Sequence, residues 1–188
     1  MYSFHNDYSE GAHPKILEAL TKASVEQNDP YGNDRHSLHA AELIKQQIGC
    51  DDVDVHFFEG GTQTNMTAIS AFLRSYEAAI AAQTGHINVH ETGAIEATGH
   101  KILTAVTENG KLTPRLVKAI LDEHTDEHTV KPKLVYVSDS TEIGTVYTKA
   151  ALTALSEFCK AHKLYLYLDG ARLGSALTST ENDLTFQD

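Results

Sequence analysis

Short apolar runs alternate with amphipathic stretches along most of the chain. The predicted strands span residues 53–58, 87–89, 101–106, 134–137 and 164–168. The predicted helices span residues 14–20, 37–48, 66–82, 93–99, 115–123 and 149–162. Strands that are separated by helices favour a parallel sheet with both faces covered. The pattern therefore predicts an α/β fold, a mostly parallel wound sheet with helices on both faces, without an internal domain boundary.

The strand at residues 164–168 carries the most informative candidate residue at its end. It reads as a buried strand, and Asp169 follows directly at its carboxyl end. Open α/β sheets bind their ligands at this end of the strands. A carboxylate in such a poorly solvated place needs a cationic partner. Arg172 could be that partner, but we favour a bound cationic ring.

Polar segments follow four of the predicted strands. They are residues 60–65, 90–92, 138–141 and 169–172. The carboxyl ends of the strands in a wound sheet meet along one crevice. We therefore expect these four segments to lie close together.

The turn Gly60-Gly61-Thr62 has the chemistry of an anion site. Glycines let the backbone approach a ligand closely, and the helix that follows directs unpaired N–H groups towards it. The turn is neither a Walker loop nor a dinucleotide fingerprint, because it lacks the Lys of the first and the third Gly of the second. A purely structural turn is the alternative interpretation.

His90, at the end of a predicted strand, is a second candidate. An imidazole can stack on a planar ring and exchange protons near pH 7, although a surface histidine is the simpler interpretation. The pairs His86/His90 and His124/His128 have the spacing of helical metal ligands. The first pair lies on a predicted strand and the second in a charged loop, so we predict no metal site.

Composition narrows the classes of partner. A net charge of −11 argues against nucleic acid, which needs clustered Lys and Arg. The chain contains no apolar run that approaches the ~20 residues of a membrane span, and its first residues do not resemble a signal peptide. Cys50 and Cys159 are too far apart for CxxC spacing, so we expect free thiols and a cytoplasmic location.

Several of these segments together resemble a known family. Asp169-Gly170-Ala171-Arg172 after a strand, the run at residues 60–65, Asp29-Pro30-Tyr31-Gly32 and His90 are similar to the pyridoxal-phosphate-dependent threonine aldolases. These belong to the aromatic-amino-acid β-eliminating lyase group, which has the aspartate-aminotransferase-like fold (fold type I). The resemblance covers essentially the whole chain.

The resemblance implies a role for each candidate residue. Asp169 would pair with the pyridine nitrogen of pyridoxal 5′-phosphate, and Gly60, Gly61 and Thr62 would hold its phosphate. His90 would stack on the ring and assist proton transfer. Arg172 would contact both the cofactor and the substrate, and Asn6 and Tyr31 would contribute further substrate contacts.

The resemblance also implies an activity and an assembly. The reaction would be the cleavage of a β-hydroxy-α-amino acid, such as threonine or allo-threonine, to glycine and an aldehyde. The protein would act as a homodimer or homotetramer, and Tyr31 would reach a neighbouring subunit's site.

Two features depart from the family pattern. Gly60 stands where the family usually has Ser, so one hydroxyl donor is missing. The family's Schiff-base lysine follows the Asp-Gly-Ala-Arg segment, and residues 173–188 contain no lysine. We therefore expect residues 1–188 to be the N-terminal part of the cofactor-binding large domain, without the small C-terminal domain and inactive or nearly so by itself.

Two alternatives stay open. One is another fold type I enzyme, a β-eliminating lyase or a cysteine-desulfurase-like protein. The other is a non-catalytic α/β module that binds a nucleotide or another metabolite.

Overall fold

The computed structural model describes residue 3 and residues 5–188, and it divides the chain into two compact units. The first consists of the residues up to Gln46 together with Cys50–Phe57. The second consists of Gln47–Gly49 together with Phe58–Asp188. No helix in the described part of the chain is both long and apolar enough to cross a membrane.

The first unit is built from the two helices that the sequence predicts. Helix α1 spans Pro14–Ala23 and helix α2 spans Arg35–Ile48. Proline is tolerated at the start of α1 because the first N–H groups of a helix have no intrahelical partner. Asp34 precedes α2, and its Oδ1 accepts hydrogen bonds from the backbone N–H of His36 (3.0 Å) and of Ser37 (2.9 Å).

The second unit contains a four-stranded sheet. Its strands are β1 (Glu77–Ala82), β2 (Ile102–Ala105), β3 (Lys131–Ser138) and β4 (Tyr165–Asp169). Its helices are α3 (Gly61–Phe72), α4 (His86–Val89), α5 (Ala94–Ala97), α6 (Pro114–Glu123), α7 (Lys149–Ala161) and α8 (Leu173–Leu177). The strands pair in parallel in the order β2-β1-β3-β4.

Helices cover both faces of this sheet, as the sequence predicts. On one face, Val117 and Ile120 of α6 and Leu155 of α7 pack against Ala78 and Ile80 of β1. On the other face, a second apolar cluster joins α3, α4 and α5 to the sheet; it comprises Ile69, Leu73, Ala79, Ala81, Ile87, Ile95, Leu134 and Tyr136. The predicted fold class is confirmed.

The prediction for residues 66–82 is wrong in its second half. The helix there ends at Phe72, and residues 77–82 form the central strand β1. Glu and Ala favour helices in isolation, but tertiary packing overrides this weak preference. All six residues of β1 are buried, because helices cover the strand from both sides and the small alanines let them approach.

Two further strand predictions are wrong. Residues 53–58 alternate like a strand but form no strand ladder within the described chain. Residues 87–89 belong to α4, whose N-cap is Gly85. Residues 53–58 are no strand because an alternating run becomes one only when a neighbouring strand pairs with it. Residues 87–89 are too few to show whether their period is that of a strand or of a helix.

The remaining sheet and helix predictions are confirmed to within a few residues. Thr113 caps α6 as predicted, with its hydroxyl oxygen 3.4 Å from the N–H of Leu116. Strand β4 lies where it was predicted, but it is an edge strand and is not buried. The side chains of Tyr165 and Leu168 keep 44% and 39% of their surface exposed.

Enlarging an alanine of β1 should destabilise the second unit, because no space remains on either face. We expect Ala79→Leu to lower the free energy of unfolding by about 1–3 kcal/mol, the usual cost of overpacking. The matched control is Ala119→Leu on the exposed side of α6, which should change it by less than about 0.5 kcal/mol. Urea unfolding of the two variants measures both, and equal midpoints would contradict the packing described above.

Candidate active site

The site is assembled at the carboxyl ends of β3 and β4. Tyr136 pairs with Tyr167, and Ser138 pairs with Asp169, across these two strands. Side chains alternate between the faces of a strand, so these four point to the same side of the sheet. That side is the one covered by α3, since Tyr136 packs in the cluster that contains Ile69 of α3.

The carboxylate of Asp169 is held by three uncharged donors. Its Oδ2 accepts hydrogen bonds from the hydroxyl of Tyr136 (2.6 Å) and the side-chain amide of Asn65 (3.1 Å). Its Oδ1 accepts one from the backbone N–H of Ala171 (3.0 Å). These bonds fix the direction of the carboxylate and leave its negative charge available to a cationic ligand.

Asn65 lies one turn into α3 and is 2% exposed. Its Nδ2 donates to Asp169 and also to Oε1 of Glu91 (2.6 Å). Its Oδ1 accepts a hydrogen bond from the hydroxyl of Tyr167 (2.7 Å). The amide orientation is therefore determined, because reversing it would turn Oδ1 towards two carboxylates.

Glu91 connects this arrangement to α4. Its side chain has no exposed surface, and its Oε1 also lies within hydrogen-bond distance of Nδ1 of His86, at 2.8 Å. The backbone N–H of His86 donates to Oε1 of Glu142 (2.8 Å), which also accepts from the hydroxyl of Ser138 (2.6 Å). Ser138 Oγ lies 3.3 Å from the hydroxyl of Tyr136, and this contact closes a ring of polar groups.

We call this ring the polar cluster. It comprises Asn65, His86, Glu91, Tyr136, Ser138, Glu142, Tyr167 and Asp169.

The two tyrosines of the polar cluster act as donors over the whole physiological pH range. Burial, followed by the charge of Asp169, raises the pKa of Tyr136 far above its ordinary value. Burial and the charges of Asp169 and Glu91 raise the pKa of Tyr167 to about 12. Neutral phenols donate hydrogen bonds, so Tyr136 keeps its bond to Asp169 and Tyr167 keeps its bond to Asn65.

The first turn of α3 has the open N–H groups of an anion site. Its N-cap, Gly60, makes no side-chain capping bond. The φ of Gly60 is −168°, so its backbone does not require glycine, and a Cβ at Gly60 or Gly61 would meet no atom within 4 Å. Thr62 follows on the exposed first turn, and close approach of a ligand would explain both glycines.

His90 does not lie at a strand end, which corrects the prediction made from the sequence. It is the residue after α4, is exposed, and its ring lies 5.5 Å from the ring of His86. The structure brings His86, and not His90, into hydrogen-bond contact with the polar cluster. The role predicted for His90 stays a prediction.

The residues predicted to bind substrate are distributed over both units. Arg172 is the N-cap of α8, three residues after Asp169. Asn6 belongs to the first unit, where its Oδ1 accepts hydrogen bonds from the N–H of Tyr8 and the hydroxyl of Ser9. Tyr31 is in the same unit, is 96% exposed, and has a φ of 64°. Their roles stay predictions.

The four polar segments that the sequence predicts to lie close together each contribute one residue to the polar cluster, namely Asn65, Glu91, Ser138 and Asp169. The sequence did not point to Tyr136, Glu142 and Tyr167. The pattern Tyr165-Leu166-Tyr167-Leu168-Asp169 carries a signal, since residues two apart on a strand share a face. Asn65 was inside a segment that we singled out, but we did not use its position one helical turn after the turn at Gly60 and Gly61. Glu91 was also inside a polar segment that we singled out, residues 90–92, but the sequence does not show that its side chain is buried.

The donors and acceptors at the carboxyl ends of β3 and β4 fit pyridoxal 5′-phosphate. A fixed carboxylate suits a protonated ring nitrogen, and an uncapped helix start with two side-chain-free positions suits a phosphate. Among the residues that the structure describes, no group of three or more His, Cys, Asp or Glu side chains is arranged to hold a metal ion.

Replacing Asn65 tests the polar cluster without any ligand. Asn65→Asp puts a third carboxylate between Glu91 and Asp169, and like charges raise the carboxyl pKa values of the folded variant. Its stability should therefore fall as pH rises above about 4 and recover on acidification. The control Asn65→Leu loses the same hydrogen bonds, at a cost of about 1–3 kcal/mol, without this pH dependence. Urea midpoints at several pH values separate the two, and parallel profiles would contradict the described contacts.

Comparisons with known proteins agree with this architecture. A solved structure of Leishmania major threonine aldolase superimposes with a TM-score of 0.97 at 55% identity, covering 100% of this chain and 55% of that chain. The curated low specificity L-threonine aldolases of a Pseudomonas strain and of Pseudomonas aeruginosa are 35% and 36% identical over 98% and 92% of this chain. A cysteine desulfurase of Rattus norvegicus is 25% identical over 91% of the chain and 39% of its own length.

The chain is shorter than the relatives that it matches. It spans 54% and 50% of the two Pseudomonas aldolases, about half of their length. The model of the beta-eliminating lyase family matches residues 6–185, and the parallel sheet with helices on both faces is the aspartate-aminotransferase-like fold. The predicted resemblance is confirmed: the chain belongs to the beta-eliminating lyase family.

Proposed function

We propose that the protein containing these residues is a pyridoxal-phosphate-dependent aldehyde-lyase. Its reaction is the cleavage of a β-hydroxy-α-amino acid, such as threonine or allo-threonine, to glycine and an aldehyde. The names of the relatives with 35–55% identity support this reaction. The structural observation that carries the proposal is the Asp169 carboxylate, held by uncharged donors at the end of β4.

The cofactor, when bound, supplies a ring that accepts electrons from a bond broken at the substrate Cα. Asp169 would face the pyridine nitrogen and keep its proton in place. The hydroxyl of Tyr136 and the amide of Asn65 hold Oδ2 of that carboxylate, so it cannot rotate away. Preorganised charge of this kind costs no rearrangement during the reaction.

The phosphate would bind at the first turn of α3. Gly60, Gly61 and Thr62 present backbone N–H groups there, and Thr62 adds a hydroxyl. The hydroxyl of Thr64 is already bound to the carbonyl of Gly60 (3.0 Å), which stabilises the turn itself.

Cleavage between Cα and Cβ requires a base at the substrate hydroxyl. The base would take up the proton of that O–H as its oxygen becomes the aldehyde carbonyl, and the bound cofactor would supply the electron sink for the broken bond. An imidazole suits this task near pH 7. His86 is held by the polar cluster, and His90 lies beside it.

The substrate carboxylate would be bound by Arg172, whose guanidinium offers two parallel donors. Asn6 and Tyr31 would contribute to the substrate site. We keep the homodimer or homotetramer and the cytoplasmic location as parts of this proposal.

Asp169→Asn in the intact protein that carries this chain tests the assignment of the carboxylate. We expect turnover of threonine to fall by about 10²-fold or more, because the charge facing the ring nitrogen is lost. Affinity for the cofactor should fall much less, since the phosphate contacts remain. The matched control is Asp122→Asn, which removes only an exposed ion pair with Lys118. Equal turnover in wild type and Asp169→Asn would reject the assignment.

A pair of histidine variants tests the imidazole. His86→Phe should slow threonine cleavage by about 10²-fold, the usual contribution of a general base, while keeping an aromatic ring in place. His90→Phe should have the smaller effect, because His90 is exposed and touches the cluster through His86 alone among the described contacts. Steady-state rates of threonine cleavage by the two variants show which histidine is the base. A larger loss of rate in His90→Phe than in His86→Phe would favour His90.

Product analysis separates the competing activities. Glycine and acetaldehyde from threonine support the proposal. Pyruvate and ammonia from serine would indicate a β-eliminating lyase, and transfer of sulfur from cysteine would match the more distant desulfurase relatives. Binding of a nucleotide, with no visible absorbance after pyridoxal phosphate is added, would favour a non-catalytic module.

A further inference from the structure

We propose that Glu91 is a positioning residue that sets the protonation pattern of the site. In this proposal its carboxylate fixes the tautomer of His86 and the amide orientation of Asn65. The tautomer is a property of the folded chain alone. Its effect on catalysis rests on the proposed function.

Glu91 is a buried carboxylate. Its side chain has no exposed surface, although removing a carboxylate from water costs several kcal/mol even in real proteins. Among the described residues its Oε2 has no hydrogen-bond partner, while both donors meet Oε1. Apolar packing would be the more stable choice at such a position, so the carboxylate is best explained by what it does to its two neighbours.

The hydrogen bond to His86 determines where the imidazole carries its proton. An ionised carboxylate only accepts hydrogen bonds, so Nδ1 of His86, at 2.8 Å, must be the donor. A neutral imidazole has one N–H, and Nε2 is then the acceptor. Nε2 is therefore the atom that can receive a proton, and no rotation or tautomer change is needed first.

The hydrogen bond to Asn65 extends the same influence to Asp169. One N–H of the amide meets Glu91 and the other meets Asp169, at 2.6 and 3.1 Å. The amide thus separates two carboxylates and is held in one orientation by both. Through Asn65, Glu91 also fixes the donor that faces the end of β4.

The surroundings of His86 contain few other titratable groups. Glu142 accepts from the backbone N–H of His86 and not from its ring. The ring of His90 lies 5.5 Å away, and Asp169 lies beyond Asn65. Glu91 is the carboxylate in direct contact with the imidazole among these described groups.

The tautomer can be read directly from the chain labelled with ¹⁵N-histidine. Two-bond ¹H–¹⁵N spectra distinguish Nδ1–H from Nε2–H, and a His86→Gln sample identifies the signals of His86. We expect Nδ1–H in the wild-type chain at neutral pH. An Nε2–H signal for His86 in the wild type would overturn the proposal before any substitution of Glu91 is made.

Variants of Glu91 then test whether its carboxylate determines the tautomer of His86. Glu91→Leu removes the acceptor with little change in volume and should shift His86 to the Nε2–H form that free imidazole prefers. Glu91→Gln keeps an acceptor oxygen and should retain Nδ1–H. The matched control is Glu77→Leu, since Glu77 is also a buried glutamate, and its Oε2 accepts from the backbone N–H of Arg74. An unchanged tautomer in folded Glu91→Leu would overturn the proposal.

The kinetic consequence is measured in the intact protein. We expect Glu91→Leu to lower kcat for threonine by about 10-fold or more while KM changes little, and Glu91→Gln to restore part of kcat. Full activity in Glu91→Leu would overturn the catalytic part of the proposal. Absence of threonine cleavage by the wild type would reject the proposed function instead, and the tautomer result would stand apart from it.

Discussion

The hydrogen bonds at the end of β4 connect three separate parts of the second unit. Tyr136 reaches Asp169 from the neighbouring strand, Asn65 reaches it from α3, and Ala171 reaches it from the turn that follows. A partly buried carboxylate would otherwise rotate or attract the nearest cation. Since all three donors are neutral, they fix the position of the carboxylate without neutralising its charge, which suits a cationic ring.

Packing along the same face of α3 makes those hydrogen bonds possible. Helix α3 can approach β1 closely because β1 presents the small residues Ala79 and Ala81 to it. Ile69 lies four residues after Asn65, so the turn that anchors α3 in the core also sets the height of the amide above the sheet. Stability and the geometry of the site therefore depend on the same few contacts.

Much of the fold could be predicted from the sequence, and the errors have physical causes. Periodicity identified β3, α6 and α7, because each buries one face or one run against the core. It also located β4, although that strand lies at the edge of the sheet and stays partly exposed. It failed at β1, where Glu and Ala suggest a helix and only burial on both faces makes a strand.

The site could be predicted in part, for a related reason. Asp169, Gly60 and Gly61 are recognisable because the chemistry of a strand end and of a helix start is local. His90 was favoured because a three-residue run was interpreted as a strand, and the helix that forms there brings His86 to the polar cluster. Glu91 lies in a polar segment that the sequence places at the crevice, but its burial, and with it its contacts to His86 and Asn65, is visible only in three dimensions.

The open start of α3 has a consequence for the motions of the chain. A helix without a side-chain cap frays at its first turn, and Asn65 directly follows that turn. An anion that binds there would slow amide exchange at the start of the helix and, through Asn65, restrain the carboxylate at the end of the sheet. If the cofactor binds as we propose, its phosphate at this turn would restrain Asp169 before the ring makes any contact.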